Sequence, residues 1–191
     1  SLAAMSKAFL DKFSHYRQQI DTLRNQNKAY DDAKTFADDI KAAKQALKDA
    51  EDTILRNIES MINSQMTRYN DFVYNQTRKA PEINLFDGTR YEFTTPDDTG
   101  TGTSYKSLIV FDLSILKLTQ LPTLIHDSLI FNDIGYAPLE KIMELYTQSS
   151  KQIFIAFDKK EAPTKAIQKI LDSASILHLS SDGNELFGEN W

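Results

Sequence analysis

The sequence predicts an α/β domain, residues 81–191, that follows a long heptad-repeat helical or coiled-coil region, residues 1–80. Three observations predict this. Apolar residues between positions 9 and 61 recur at alternating spacings of three and four, as on one helix face. Neither glycine nor proline occurs before Pro81. After Pro81, apolar runs of strand length alternate with helical segments, which indicates a mostly parallel sheet with crossover helices and flanking hairpins.

Composition excludes several classes of protein. The 191 residues are 41% hydrophobic and 26% charged, as in a soluble globular protein, and no apolar run approaches the roughly 18 residues of a membrane span. The chain has no cysteine, so it forms neither disulfides nor thiolate metal sites. Its net charge of −5 argues against binding nucleic acid by itself. We expect a cytoplasmic protein without a membrane partner.

The first region carries a sustained apolar seam with polar residues on its other faces. At 1.5 Å per residue, one helix through the seam would be on the order of 80 Å long. The polar stretch Asn25–Lys28 interrupts the pattern, so a break there, or two or three helices folded as a bundle, are alternatives. An exposed seam is expected to pair with a second copy or with the chain's own lobe. The seam residues include Phe9, Phe13, Tyr16, Ile20, Leu23, Tyr30, Ile40, Leu47, Ile54, Ile58 and Met61.

The second region divides into short predicted elements. An Asp87-Gly88 turn between two apolar stretches predicts a β-hairpin. The later elements are a helix over 104–118, a buried strand over 121–126, a helix over 138–148, a buried strand over 152–157, a helix over 163–171, a third strand over 175–179 and a final hairpin around Asp182-Gly183.

The stretch "GTGTSYKS", residues 100–107, nearly matches a P-loop. Gly100, Lys106 and Ser107 would meet the pattern if Tyr105 were a glycine. A bulky tyrosine obstructs the close backbone approach that phosphates need, and the stretch follows a polar loop rather than a strand. We therefore favour a different anion-binding turn at the mouth of a helix, where free N–H donors and the helix dipole attract phosphate. Its candidate cofactor-binding residues are Gly100, Gly102, Thr103, Ser104 and Lys106.

The stretch "LPTLIHDSLIFND", residues 121–133, places Asp127 at the end of a predicted strand. Ligands of α/β proteins collect beyond the carboxyl ends of the strands, so Asp127 is a candidate magnesium ligand. A capping or turn aspartate is the alternative. His126 is either a residue that orients water or a core histidine with satisfied hydrogen bonds.

The order of these parts resembles the C-terminal lobe of the ATPase head in SMC and SbcC-like ATPases, where a coiled coil enters a head with a signature motif and a Walker B strand. The chain is similar in particular to a bacterial SMC-like family catalogued as a domain of unknown function. The stretches that carry this resemblance are "GTSYKSLIVFDLSILKL", "LPTLIHDSLIFNDI" and "LSSDGNELFGENW".

The resemblance implies roles for particular residues. Gly100 to Lys106 would occupy the signature position, which meets the γ-phosphate held by a partner head. Asp127 would be the Walker B aspartate for Mg²⁺, and Asp133 the acidic residue of the D-loop. The candidate catalytic residues are Asp127, Ser128 and His126.

Two positions depart from that family pattern. Ser128 stands where a catalytic glutamate is expected, and serine is no general base at neutral pH without an activating neighbour. Phe157-Asp158 stands where a switch histidine is expected. Hydrolysis is therefore in doubt, whereas nucleotide-dependent head engagement is still expected.

The resemblance also implies cofactors and partners. The P-loop of such heads lies in an N-terminal lobe, so the chain is expected to be a fragment that alone neither binds ATP tightly nor hydrolyses it. ATP and Mg²⁺ would bind only with that lobe and a partner head. Expected partners are the N-terminal lobe of the same protein, a second copy through heads and coiled coil, and DNA through the full assembly, in DNA maintenance or defence.

Two other functions are alternatives. The chain could be a coiled-coil interaction module with an α/β cap and no nucleotide chemistry. A free-standing hydrolase has little support, because the sequence lacks G-x-S-x-G and its histidines, His15, His126 and His178, have no metal-ligand spacing.

Overall fold

The computed structural model describes residues 2–96, 101–157 and 164–180, without the side chains of residues 2–5, 101 and 103. The chain separates into two compact units, Ser1–Ile54 and Leu55–Trp191. Helix α1 covers Leu2–Tyr74 without interruption. The two alternatives, a break at Asn25–Lys28 and a helical bundle, are therefore wrong, because polar residues without glycine or proline do not stop a helix.

Within the first unit, the apolar side chains of the seam are exposed. They belong to Phe9, Phe13, Tyr16, Ile20, Leu23, Tyr30, Ile40, Leu47 and Ile54. A coiled-coil partner for this face remains a prediction.

The second unit is a mixed α/β structure, and its described residues form two small sheets. Its boundary lies before residue 80 because the last turns of α1 bury Ile62, Met66 and Val73 in its core. The elements that follow α1 are β1 (Glu82–Leu85), β2 (Tyr91–Thr94), α2 (Thr101–Leu118), β3 (Thr123–His126), a 3₁₀ helix (Ser128–Phe131), α3 (Tyr136–Gln148), β4 (Gln152–Ile155) and α4 (Lys165–Ala174).

Helix α2 separates two groups of buried side chains. Ile109 and Leu113 on α2 belong to the larger group, which includes Leu139, Ile142 and Met143 of α3. Val110, on the adjacent face of α2, packs with Ile62 and Met66 of α1 and Ile83 of β1. A helix that contributes to both groups has little freedom to shift, since interiors are close-packed.

The predicted hairpin around Asp87-Gly88 is confirmed. Strands β1 and β2 pair antiparallel, with Leu85 opposite Tyr91. The Asp87 carboxylate accepts hydrogen bonds from the backbone N–H groups of Thr89 and Arg90 and from the Arg90 guanidinium. The Arg90 side chain, followed by Thr89, lowers the pKa of Asp87, so this carboxylate stays charged and holds the turn.

Strands β3 and β4 pair in parallel, as predicted for the apolar runs 121–126 and 152–157. Helix α3 is the crossover that connects them. Leu124, Ile153 and Ile155 face the larger core group. On the opposite face, Ile125 is 72% exposed and Phe154 39% exposed. The expectation of strands buried on both faces is therefore wrong for this pair, because no described element covers the outer face.

The third predicted strand, 175–179, is also wrong. Residues 175–179 are neither helix nor strand in the described part of the chain, and Ile176 is 86% exposed. An apolar run with strand propensity forms a strand only when a neighbouring strand pairs with it, and none of the described strands does so here. The final hairpin predicted around Asp182-Gly183 lies outside the described residues.

Two side chains of α1 bind the backbone of β1: Glu59 Oε2 accepts the Leu85 N–H at 2.7 Å, and Asn63 binds Ile83. The Asn63 amide donates to the backbone carbonyl of Ile83 at 2.9 Å and accepts from the Ile83 N–H at 2.9 Å. We expect Asn63→Ala to lower the free energy of unfolding by about 1–3 kcal/mol, because both backbone groups of Ile83 lose their partner. Urea unfolding monitored by circular dichroism measures this loss.

The matched control is Asn57→Ala, which removes an exposed asparagine from the same helix. It should change the free energy of unfolding by no more than about 0.5 kcal/mol. Equal losses in the two variants would contradict this attachment.

Candidate functional site

The first turn of α2 lies against the backbone that follows β3. A Cβ atom on Gly102 would stand 2.1 Å from the carbonyl oxygen of Asp133. No side chain fits in that space, so Gly102 is required for the contact. The described part of the glycine turn therefore meets the residue predicted for the D-loop. Gly100 and the Thr103 side chain lie outside the described residues, and Ser104 is exposed.

Asp127 directly follows the carboxyl end of β3 and is exposed. Its carboxylate caps the 3₁₀ helix, because Oδ1 accepts the Ser128 N–H at 2.7 Å. The capping alternative is thus correct for Oδ1. Oδ2 accepts no hydrogen bond from the described residues.

The Asp127 carboxylate could supply one of the oxygen ligands of a magnesium ion. Mg²⁺ keeps several waters and is often held by one or two carboxylates together with substrate phosphates, and Asp127 offers one such oxygen. Among the described residues, no group of three or more histidine, aspartate or glutamate side chains gathers to hold a metal. The chain therefore suits an ion bound mainly by phosphates and water, and builds no metal site of its own in its described part.

Lys106 points into the protein, where it is 1% exposed. Its ammonium donates to Asn70 Oδ1 at 3.0 Å and lies 5.1 Å from the centre of the Tyr74 ring. Asn70 in turn donates to the backbone carbonyl of Arg78 at 2.8 Å. This placement does not fit the prediction that Lys106 contacts a nucleotide, and gives it instead a structural contact between α2 and α1.

Helical spacing could have identified this role. Lys106 lies three, four and seven residues before Ile109, Val110 and Leu113, which all face the core. The near match to a P-loop directed attention to the charge of Lys106 rather than to its helix face. A cation on an apolar face can still be buried when hydrogen bonds and an aromatic ring accept it.

His126, the last residue of β3, is buried, and both ring nitrogens are engaged. Nδ1 lies 2.6 Å from the Tyr146 hydroxyl of α3, and Nε2 lies 3.0 Å from Asp112 Oδ2 of α2. This agrees with the alternative of a satisfied core histidine, since neither nitrogen is left to orient a water. Burial, followed by the charge of Asp112, raises the pKa of Tyr146, so its hydroxyl keeps its proton.

Sequence reasoning missed Asp112 and Tyr146. Each is a polar residue within an otherwise apolar helical stretch, and such residues are also common on solvated faces. Only the packing of α2 and α3 with β3 in one core brings them to the same imidazole.

Ser128 and Phe157, the two departures from the family pattern, each contact a neighbouring side chain. The Ser128 hydroxyl is 3.5 Å from Asp127 Oδ1, at the limit of a hydrogen bond. Phe157 packs against Phe131, with ring centroids 5.8 Å apart. Neither side chain can serve as a general base, since a serine beside a carboxylate is uncharged and a phenylalanine has no titratable group.

No helix in the described ranges is both long and apolar enough to cross a membrane.

These features define a mixed α/β lobe in which the first turn of a helix packs against the segment that follows an acidic strand end. The chain belongs to the family described as "Uncharacterised protein conserved in bacteria (DUF2326)", whose model matches residues 69–191. A search of curated proteins gave no significant match.

Solved structures of SMC proteins are similar to the chain at low identity. One belongs to work on ATP-driven dimerization and DNA-stimulated activation of SMC ATPases; it has 13% identity and a TM-score of 0.49, over 70% of this chain and 84% of that one. Another is an SmcHead bound to the C-winged helix domain of ScpA, with 14% identity and a TM-score of 0.47, over 60% of this chain and 38% of that one. Both identities are too low to transfer function.

The Gly102 contact is directly testable. Glycine to alanine inside a helix normally stabilises a protein by up to about 1 kcal/mol. We expect Gly102→Ala to destabilise this one by roughly 1–3 kcal/mol instead, because its methyl group would overlap the Asp133 carbonyl. Thermal and urea unfolding measure the sign of the change.

Gly88→Ala is the control, because a Cβ there has no neighbour within 4 Å. It should shift the free energy of unfolding by no more than about 0.5 kcal/mol. A Gly102→Ala protein as stable as the Gly88→Ala protein would show that α2 and Asp133 are not in tight contact.

Proposed function

We propose that the chain is part of an SMC/SbcC-like ATPase and supplies signature-like and Walker B-like elements for nucleotide-dependent engagement of two heads. The packing of Gly102 against the Asp133 carbonyl is the observation that carries this proposal. It holds the first turn of α2 against the segment that follows Asp127, which supports the proposal that the glycine turn and Asp127 act at the same rim of the lobe.

The start of α2 provides the phosphate-facing part of this edge. The first N–H groups of a helix have no partner within the helix, and the helix dipole attracts negative charge there. In the proposed arrangement Gly102, Thr103 and Ser104 contact the phosphate of a nucleotide held by the partner head. We propose the same contact for Gly100, which lies outside the described residues. Asp133 borders the same surface. Lys106 is left out, because its ammonium is buried against Asn70.

Asp127 provides the metal-facing part. In our proposal its Oδ2 contributes one oxygen to a Mg²⁺ that accompanies ATP, while Oδ1 continues to cap the 3₁₀ helix. The bound ion would neutralise phosphate charge. The capping bond to the Ser128 N–H already fixes the direction of the Asp127 carboxylate, so the carboxylate loses little rotational freedom when the ion binds.

Engagement is better supported than hydrolysis. A general base must lie within hydrogen-bond reach of the attacking water. Ser128 is uncharged, and His126 uses both nitrogens inside the protein. We therefore propose that this chain itself supplies no base for hydrolysis.

Two exposed apolar faces support the proposed partners. Parallel sheets are normally covered on both sides, whereas the outer face of β3 and β4 exposes Ile125 and Phe154. We propose that the N-terminal lobe of the same protein covers it. The exposed seam of residues 9–54 would pair with another helix, and contact with DNA would need the full assembly because the chain's net charge is −5.

A non-catalytic interaction module is the second candidate. Phe157 packs on Phe131 and Ser128 interacts with Asp127, so the two positions where the family pattern expects a histidine and a glutamate serve the fold. In this case the α/β unit would only hold the end of the helix, and nucleotide would not change its association.

The test is head association in the full-length protein, or in this chain with the N-terminal lobe added. Sedimentation with and without Mg²⁺ and a slowly hydrolysed ATP analogue measures it. We expect Mg²⁺-ATP to promote association, and Asp127→Asn to weaken that effect at least about tenfold by removing a charged ligand of the ion.

Asp172→Asn is the matched control, since it also neutralises one exposed carboxylate of the same unit. It should leave the nucleotide effect intact. If the wild-type assembly ignores ATP, or if Asp127→Asn behaves like Asp172→Asn, the interaction module is the better description.

A further inference from the structure

Three buried or half-buried polar side chains form a line across the second unit. Asp112 of α2, His126 of β3 and Tyr146 of α3 are joined by contacts of 3.0 Å and 2.6 Å. His126 is 5% exposed, and its ring lies 5.7 Å from the Tyr146 ring. The line therefore connects the last residue of β3 to two helices, α2 and α3.

For a neutral imidazole, the carboxylate of Asp112 sets the direction of both hydrogen bonds in this line. Nδ1 of His126 then accepts from the Tyr146 hydroxyl, which keeps its proton. A carboxylate can only accept, so Nε2–H of His126 donates to Asp112. A neutral imidazole with its proton on Nε2 satisfies every bond.

This arrangement restricts the orientation of the His126 ring more than an apolar side chain would be restricted. A buried polar group costs free energy unless it is hydrogen-bonded. Nδ1 and Nε2 can keep both of their hydrogen bonds only in a narrow range of ring orientations. An apolar residue at position 126 would fill the same space without this directional requirement. The line thus specifies where the end of β3 lies between α2 and α3.

The same helix contacts the chain again just after Asp127. Asp112 binds His126 on one side of Asp127, and Gly102 packs on Asp133 on the other side. The His126 carbonyl also accepts the Ala156 N–H at 2.9 Å, which ties the residue to the chain after β4. Helix α2 therefore holds both ends of the segment that carries Asp127.

We propose that His126 is a positioning residue that fixes Asp127 relative to the first turn of α2 through its bonds to Asp112 and Tyr146. A role of His126 in nucleotide binding rests on the function proposed above, whereas its effect on the position of Asp127 can be measured in this chain alone. The Ser128 N–H, which donates to Asp127 Oδ1 at 2.7 Å, is the natural reporter.

The test is a double-mutant cycle with Tyr146→Phe and His126→Phe. Tyr146→Phe deletes the hydroxyl and keeps the aromatic contact with Phe131. We expect exchange of the Ser128 amide hydrogen to become about tenfold faster, since one buried hydrogen bond is lost. In the H126F chain, adding Tyr146→Phe should not accelerate exchange further, because the bond it removes no longer exists.

Two controls separate positioning from a general loss of stability. Tyr136→Phe removes an exposed hydroxyl and should leave Ser128 exchange unchanged. Ile142→Val weakens the same core and should lower the free energy of unfolding without a selective effect at Ser128. Imidazole ¹⁵N shifts give a second readout: the wild-type chain should show the proton on Nε2, and Tyr146→Phe should shift the Nδ1 resonance.

Each outcome decides the inference. Faster Ser128 exchange in Tyr146→Phe alone, together with coupling to His126, supports it. Unchanged Ser128 exchange, equal effects of Tyr146→Phe and Ile142→Val, or additive effects in the cycle would overturn it. ATP binding by the assembled wild-type head is measured separately; its absence would count against the proposed function, while the exchange data alone decide the positioning role.

Discussion

Close contact between the first turn of α2 and the backbone of Asp133 is the constraint on which the second unit depends. At Gly102 the two backbones approach so closely that only a hydrogen atom fits between them. Because α2 also contributes to both groups of buried side chains, a shift at its first turn would disturb packing along its length. The buried side chains of α2 thus hold the candidate site in place, although the residues of the site lie near the surface.

Most local elements of the second unit could be predicted from sequence, and the reasons are physical. The Asp87-Gly88 turn, the period of α2 and the apolar runs of β3 and β4 are signals carried by neighbouring residues. The segment at 175–179 has the same local signal but forms no ladder. Strand formation there depends on a partner, which a single run of residues cannot reveal.

The candidate site was only partly predictable. Asp127 follows from its place at the end of an apolar run, and Gly102 from a glycine at the start of a helix. The links through Asp112 and Tyr146 join residues distant in sequence, and no spacing rule connects them. For Lys106 the sequence pointed in two directions. Its place in a near match to a P-loop suggested a contact with nucleotide, whereas its helical period correctly places the side chain in the core.

The two-stranded sheet of β3 and β4 has a consequence for handling the isolated chain. Within the described residues neither strand has a second neighbour, so each leaves a row of backbone N–H and C=O groups available to another strand. Together with the side chains of Ile125 and Phe154, these groups form a template for edge-to-edge pairing between molecules. Such an edge is a general route to association between molecules, so the isolated chain is expected to associate through this sheet at high concentration.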